Sequence, residues 1–369
     1  MLGGIVLGDP VCVADKELRY QKYNPKKEEE QNMRKKLALL LVAAMVFSLL
    51  GGIVSTVAED KPIKIGVSLP TQREERWVKD KDGFQAAADA AGIEVLIQVA
   101  DNDQAVQQSQ VENMLTQGID VLIIGACDEE GAANIVELCH AEGVPVIAYD
   151  REIANADVDL LVTFDQYTIG WLMGAYMAEN LESGNIVVLR GCPTDSTCPY
   201  LYGGAMDAMK EKLDSGAYTI VMEQDCIDWE PNEALKHMEN ALTANDNNIQ
   251  GVIAPNDGTA GGVIQALAAQ GLDGEVIVTG QDSEVDAIKR IIEGTQSMTV
   301  FGDTGDMSGG AFAAAVKLAR GEELEGLGTP MNNGFKDVPT LEYPAKQVTV
   351  DNYFELLIES GYIDAEEIE

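Results

Sequence analysis

The sequence predicts an α/β fold: two similar lobes, each built on a parallel sheet, with a hinged cleft between them. Three observations carry this expectation. Apolar runs of strand length alternate with stretches of helical spacing from Lys61 onward, and the cycle begins again after Gly184. Such alternation argues for parallel sheets. The length, 369 residues, suits about two domains. Last, an Asp stands just past the end of five runs: 144–149 before Asp150, 160–164 before Asp165, 252–256 before Asp257, 276–281 before Asp282 and 298–302 before Asp303. Buried parallel strands read as continuous Val/Ile-rich runs because helices cover both faces. Ligands of open α/β sheets bind outside the carboxyl ends of those strands. An Asp there is either an acceptor aimed into a cleft or a cap for the next helix; five in register favour the cleft.

The elements follow in order. A strand is expected over 63–69, then a helix over 82–91 that stops at Gly92, and a strand over 95–100. The next helix, 104–117, carries Val106, Val111, Met114 and Leu115 at helical spacing, with Gly118 as its stop. Strand 121–125, helix 131–142, strand 144–149, strand 160–164 and helix 169–180 complete the first half. The second half has strands at 186–189, 219–222, 252–255, 276–280 and 298–301, with helices starting near Tyr202, Pro231, Thr259 and Val285. Two five-strand halves are therefore expected. A Gly/Ala-rich helix near 309–318 and a looser Gly/Pro/Asn-rich segment, 321–344, follow. The last 65 residues are too few for a third domain and are expected to pack back across both halves.

The formal charge is −37. A surface that acidic repels nucleic acid and anionic lipid. Met33-Arg34-Lys35-Lys36 precedes eighteen uncharged residues, 37–54, and then Ser55-Thr56-Val57-Ala58. A basic start, an apolar stretch and small residues before a polar segment make a secretory signal over 33–58. Residues 1–32 are then a leader, or Met33 is the true start. The competing reading is an uncleaved anchor, since eighteen apolar residues can just span a bilayer. Of the six Cys, Cys127 and Cys139 sit in apolar runs and read as buried thiols. A bridge among Cys192, Cys198 and Cys226 is left open by their spacing. His140 and His237 read as surface or cap residues on helical stretches.

No GxGxxG follows a strand, and no GxxxxGK[ST], GxSxG or HExxH occurs. No nucleophile stands beside a plausible base, so an enzyme is not expected. Polar residues mixed with aromatics do gather at the predicted strand ends: Arg73-Glu74-Glu75-Arg76-Trp77, Asp150-Arg151, Asp228-Trp229-Glu230-Pro231, Asn256-Asp257 and Gln281-Asp282. A sugar presents hydroxyls at its rim and C–H faces above and below. Arg and Asp make charge-assisted hydrogen bonds to hydroxyls, and Trp supplies an apolar plate. Singly each residue has an ordinary structural explanation; together they point to a site.

At these residues the chain resembles the exported sugar-binding proteins of ABC transporters, which have the type I periplasmic-binding-protein fold of two Rossmann-like lobes. The likeness is nearest to their D-xylose-binding members. It runs from Lys61 to about Pro344. It is strong at Glu75-Arg76-Trp77, Gln110-Val111-Glu112-Asn113-Met114, Ala148-Tyr149-Asp150-Arg151, 238–245, Asn256-Asp257, Gly280-Gln281-Asp282, Gly294-Thr295-Gln296 and Asn332-Asn333-Gly334. The resemblance implies that Arg76, Asp150, Arg151, Asn256 and Asp282 bond the sugar hydroxyls and that Trp77 and Trp229 sandwich the ring. It implies a periplasmic or other extracytoplasmic monomer that captures a monosaccharide, xylose or a related sugar, and delivers it to an ABC permease. No cofactor, no metal and no nucleic acid partner is expected. A sensor presenting the sugar to a chemoreceptor or kinase is the alternative reading. A sugar-dependent transcription regulator, which shares the fold, would need a basic DNA-reading helix pair before Lys61, where the apolar export segment stands instead. The lobes are expected at 59–165 with 304–343 and at 166–303 with 344–369, the chain crossing near Asp165, Asp303 and Pro344.

Three rim groups depart from the xylose pattern. Gly302 stands where the resemblance implies Lys, Ser196-Thr197 where it implies an Asn pair, and Glu233 where it implies Asn. The expectation is that a pyranose still fits, with room beside Gly302, and that xylose is not the tightest ligand.

Overall fold

The computed structural model describes residues 62–369 and, ahead of them, Met33 alone. The remainder of the expected export segment 33–58, the leader 1–32 and Cys12 lie outside the described residues.

Strand β1 (Lys64–Leu69) leads into α1 (Glu75–Ala91), β2 (Glu94–Val99), α2 (Gln104–Thr116), β3 (Val121–Ile124), α3 (Ala133–Ala141), β4 (Val146–Tyr149) and β5 (Leu160–Phe164). Then follow α4 (Gln166–Asn180), β6 (Gly184–Arg190), α5 (Cys198–Asp214), β7 (Tyr218–Asp225), a short turn of helix (Ile227–Trp229), α6 (Pro231–Ala244), β8 (Gly251–Ile253), α7 (Asp257–Ala268), β9 (Ile277–Val278), α8 (Val285–Glu293) and β10 (Thr299–Gly302). The return segment holds α9 (Thr304–Arg320), β11 (Met331–Asn332), β12 (Asp337–Val338), β13 (Thr340–Tyr343) and β14 (Ala345–Val348).

β3, β4 and β5 are buried at every residue, as strands covered on both faces must be. Helices end where a residue without Cβ can turn left-handed: α1 stops at Gly92, with φ 64°, and its N–H reaches back to the Ala88 and Asp89 carbonyls. The first sheet has six parallel strands in the order β13-β5-β4-β3-β1-β2. The second has four, β7-β6-β8-β9, also parallel. In each sheet the strand order reverses once, about β1 and about β6, the crevice position that ligands favour in such sheets.

Two five-strand halves were expected, and the counts differ for one reason. The return segment, whose stretch 321–344 reads in the sequence as loose, supplies β13, which pairs parallel with β5 from Thr340 opposite Leu161 to Tyr343 opposite Phe164. It also supplies β14, which takes β10 out of the second sheet into an antiparallel ribbon. The chain thus passes from the first sheet to that ribbon at Pro344. α4 and α5 cross closely: a methyl on Gly170 would collide with the Leu201 carbonyl, and one on Gly204 with that of Tyr167. Only glycine permits that approach.

Candidate functional site

The first wall of the site grows from the carboxyl ends of β1 and β4. Glu74 is the N-cap of α1, and its carbonyl accepts from the Trp77 N–H, so Arg76 falls in the first turn. Its Nη1 donates to Asp150 Oδ1 at 2.8 Å, and its Nε and Nη2 donate to Asp80 Oδ2 at 3.3 and 3.1 Å. Asp80, one helical turn on, also accepts from the Tyr149 hydroxyl at 2.5 Å. Burial works against the Arg76 charge, but Asp150, Asp80 and Asp282 outweigh it and raise its pKa. Burial pushes Asp80 up to about 6 even though Arg76 pulls the other way. Arg151 donates to the Ala126 carbonyl at 2.9 Å and pairs with Asp195 Oδ2 at 2.7 Å. The Arg76 and Arg151 guanidinium carbons lie 4.3 and 5.3 Å from the Trp77 ring centroid, within cation–π range.

The second wall grows from β6, β8 and β9. Asp195 is buried and works as a clamp. Its Oδ1 accepts from the Thr197 hydroxyl at 2.7 Å, and its Oδ2 from Trp229 Nε1 at 3.1 Å. Through Arg151 it also ties this wall to the first. Asn256 caps α7, its Oδ1 accepting from the Thr259 N–H at 2.9 Å, so its donor end is the part left for a ligand. Asp282 follows β9 with φ 97°, and burial pushes its carboxyl up to about 8, with Arg76 opposing. Asp150 and Trp229 also hold left-handed backbone, at φ 66° and 58°. Asp tolerates that region; a Trp there is strained, and such strain collects at functional sites.

Arg76, Trp77, Asp150, Arg151, Trp229, Asn256 and Asp282, the seven residues expected from the sequence, all line one cleft with about 340 Å³ of empty space, part of it open solvent. Glu74, Gln166, Asp195, Thr197 and Gln281 line it too. Gln166 was missed: it donates to Asp150 Oδ1 at 3.3 Å, one position past the Asp that drew attention. The five strand-end Asp divide. Asp150 and Asp282 line the cleft. Asp165 and Asp303 are helix caps, accepting from Thr168 N–H and from Gly305 and Asp306 N–H. Asp257 lies behind the wall, fully buried, accepting from Gln296 Nε2 at 2.7 Å and the Thr299 hydroxyl at 2.8 Å. Burial, and then the Asp282 charge, push it up to about 7.

Beside Gly302 there is a small cavity that Arg76, Gln166 and Asp282 also line, although a methyl on Gly302 itself would sit 2.7 Å from the Phe164 ring. Cys127, Cys139, Cys192, Cys198 and Cys226 are buried free thiols, and burial raises those of Cys127, Cys139 and Cys226 to about 12. His140 pairs with Asp159 at 2.9 Å and His237 bonds the Asp225 carbonyl at 3.0 Å, both away from the cleft. Among the described residues no His, Cys, Asp and Glu group could hold a metal ion, and no helix is long and apolar enough to cross a membrane.

Parallel sheets whose strand ends meet over a polar, ring-lined cleft define a two-lobed ligand-binding protein. Residues 65–323 match the family model of the periplasmic binding protein domain, and the chain belongs to that family. It is 40% identical to the D-xylose-binding periplasmic protein of Escherichia coli (strain K12) over 308 residues, 84% of this chain and 93% of that one. The crystal structure of a carbohydrate-transporter solute-binding protein from Chloroflexus aurantiacus in complex with D-glucose is similar, with TM-score 0.77 and 33% identity over 82% of this chain and 97% of that one. So is an ABC transporter solute-binding protein from Clostridium phytofermentans with bound β-D-glucose, with TM-score 0.76 and 30% identity over 83% of this chain and all of that one. The protein is a binding protein, not an enzyme.

Proposed function

We propose that the protein is an exported solute-binding protein that captures a monosaccharide between its lobes and hands it to an ABC permease. One observation carries this reading: the seven residues that the resemblance implies for sugar binding, scattered from 76 to 282, line a single cleft. Arg76 and Arg151 are the donors, Asp150 and Asp282 the acceptors, Asn256 an amide donor. Trp77 and Trp229 are the plates for the two faces of a pyranose. The lobes are 59–165 with 304–343 and 166–303 with 344–369, hinged where the chain crosses near Asp165, Asp303 and Pro344. The related proteins that bind xylose and glucose support a pentose or hexose, and the signal-like segment 33–58 supports export.

The rim supports a change of preference away from xylose. Glu233 pairs with Lys236 at 2.7 Å and Asp303 caps a helix, and ionised carboxylates accept but do not donate, so neither replaces the side-chain donor missing at Gly302. The Ser196 hydroxyl accepts from the Glu152 N–H at 2.7 Å, and the Thr197 hydroxyl donates to Asp195. A site built to bond a hydroxyl discriminates against sugars that leave its groups unpaired. Calorimetry with xylose in competition with other pentoses and hexoses tests both levels. Binding of none ends the monosaccharide reading. Xylose ahead by tenfold, about 1.4 kcal/mol, ends the change of preference alone.

A further inference from the structure

Glu74 lines the cleft with one carboxylate oxygen unpartnered. It is 8% exposed, and its Oε2 is buried and receives no hydrogen bond among the described residues. It lines the same cleft as Arg76 and Asp282. A buried carboxylate oxygen left unpaired is costly, and native structures rarely tolerate one without a use for it. The neighbouring cations do not relieve it by contact. Arg76 is taken by Asp150 and Asp80, and Arg151 by Asp195. In the lining, four carboxylates (Glu74, Asp150, Asp195 and Asp282) face two guanidiniums. The cleft is thus rich in acceptors, and Glu74 Oε2 is the carboxylate oxygen of the lining that is both fully buried and without a hydrogen-bond partner among the described residues. Burial also raises the Glu74 pKa, opposed first by a hydrogen bond from its own backbone and then by Arg73, Arg151 and Arg76.

We propose that Glu74 contacts the ligand and determines specificity, its unpaired carboxylate oxygen accepting a hydrogen bond from a hydroxyl or ammonium group of the bound monosaccharide. This deepens the monosaccharide reading and rests on it. A sugar that donates to Glu74 removes the unmet acceptor; one that lacks the donor leaves it buried and unmet. Discrimination of about tenfold or more between the two follows from the cost of an unpaired buried acceptor. An amino sugar meets the same oxygen with a charge-assisted bond.

The test uses the full chain and three probes, D-xylose, D-glucose and D-glucosamine, with calorimetry on wild type, Glu74→Leu and Glu74→Gln. Leu keeps an apolar bulk and removes the acceptor; Gln keeps an acceptor and removes the charge. Glu74→Leu is expected to weaken the tightest probe about tenfold or more and to narrow the spread among the three. Glu74→Gln is expected to retain most of the affinity if a hydroxyl donates, and to lose a preference for glucosamine if the ammonium does. The Glu74 carboxyl carbon resonance in wild type, with and without the tightest probe, gives a readout that needs no variant to fold: it is expected to shift on binding. Wild-type-like affinities for all probes in Glu74→Leu overturn the inference, as does an unshifted resonance at saturation. If wild type binds none of the three, the monosaccharide reading falls and this inference with it. If wild type binds and the variant matches it, only this inference falls.

Discussion

The two walls of the cleft hold their charges in different ways. On the wall built from the six-stranded sheet, Arg76 sits between Asp80 and Asp150 and is balanced within that wall. On the wall built from the four-stranded sheet the acids borrow their cations. Asp195 takes Arg151 from the opposite wall, and Asp282 feels Arg76 across the cleft. Behind them Asp257 and Glu284 are raised to about 7 and about 8 by burial and their like-charged neighbours, with Arg290 opposing. The first wall is an ion-paired platform. The second is a set of acids that meets its complement when the walls stand together, an arrangement suited to a hinge.

The sharpest way to break this comparison is Arg76→Ala against Asp282→Ala. Losing Arg76 strands the fully buried Asp80 and is expected to cost about 3–5 kcal/mol of folding stability, with sugar binding lost. Losing Asp282 removes a carboxylate that burial already disfavours and is expected to weaken binding with little loss of stability. Urea unfolding and calorimetry on both variants read this; equal stability losses would end the asymmetry.

The two Trp sharpen it next. Trp77 is 2% exposed and stands edge-to-face with Tyr149, centroids 6.5 Å apart. Trp77→Ala is expected to lower stability by roughly 3–5 kcal/mol, the range for losing a buried large aromatic, and to weaken binding too. Trp229, strained at φ 58°, is expected to cost less in stability and to show mainly in affinity. Unchanged sugar affinity in either variant, still folded, would remove that ring from the sandwich.

A smaller effect is expected from pH. Asp257 is raised from its ordinary 3.8 to about 7, chiefly by burial, so the folded state prefers the proton that the unfolded chain has already released. That contribution is whole below pH 3.8 and is lost as pH rises towards 7. Melting temperature of wild type should therefore fall across this window, and that of Asp257→Asn should fall less. A parallel pair of profiles would count against the buried acid as the source.

The smallest effect is at the rim, where the walls exchange caps. The Val285 N–H donates to Glu75 Oε2 at 2.9 Å, and the Glu75 N–H to Glu284 Oε1 at 3.3 Å. Glu75 opens α1 and Glu284 caps α8, so each helix start is served by a side chain of the other. Glu75→Ala and Glu284→Ala are each expected to loosen the closed arrangement by about 1 kcal/mol, the usual worth of a cap, seen as faster sugar release in stopped flow. An unchanged release rate in both would leave the rim without a role in closure.

Much of this was legible in the sequence because it is local. Continuous apolar runs specify buried parallel strands, Gly92 marks a helix stop by its missing Cβ, and charged and aromatic residues just past a strand fall at its carboxyl end whatever the rest of the chain does. That logic reached the α/β class and the strand-end segments that hold Arg76, Trp77, Asp150, Arg151, Trp229, Asn256 and Asp282; the resemblance to sugar-binding proteins singled these seven out of them. Other facts depend on residues far apart in the chain. No local signal separates Asp150 and Asp282, which line the cleft, from Asp165 and Asp303, which cap helices: all four follow an apolar run, and only the direction of the chain after it differs. That β13 joins β5 and β14 draws β10 from its sheet depends on pairings more than 40 residues apart. The blocked Cβ position of Gly302 depends on Phe164, and the unmet oxygen of Glu74 on Arg76 and Arg151 being taken by other acids. Sequence periodicity reports which face of an element is buried; which partner then satisfies a buried charge is decided only when the distant elements meet.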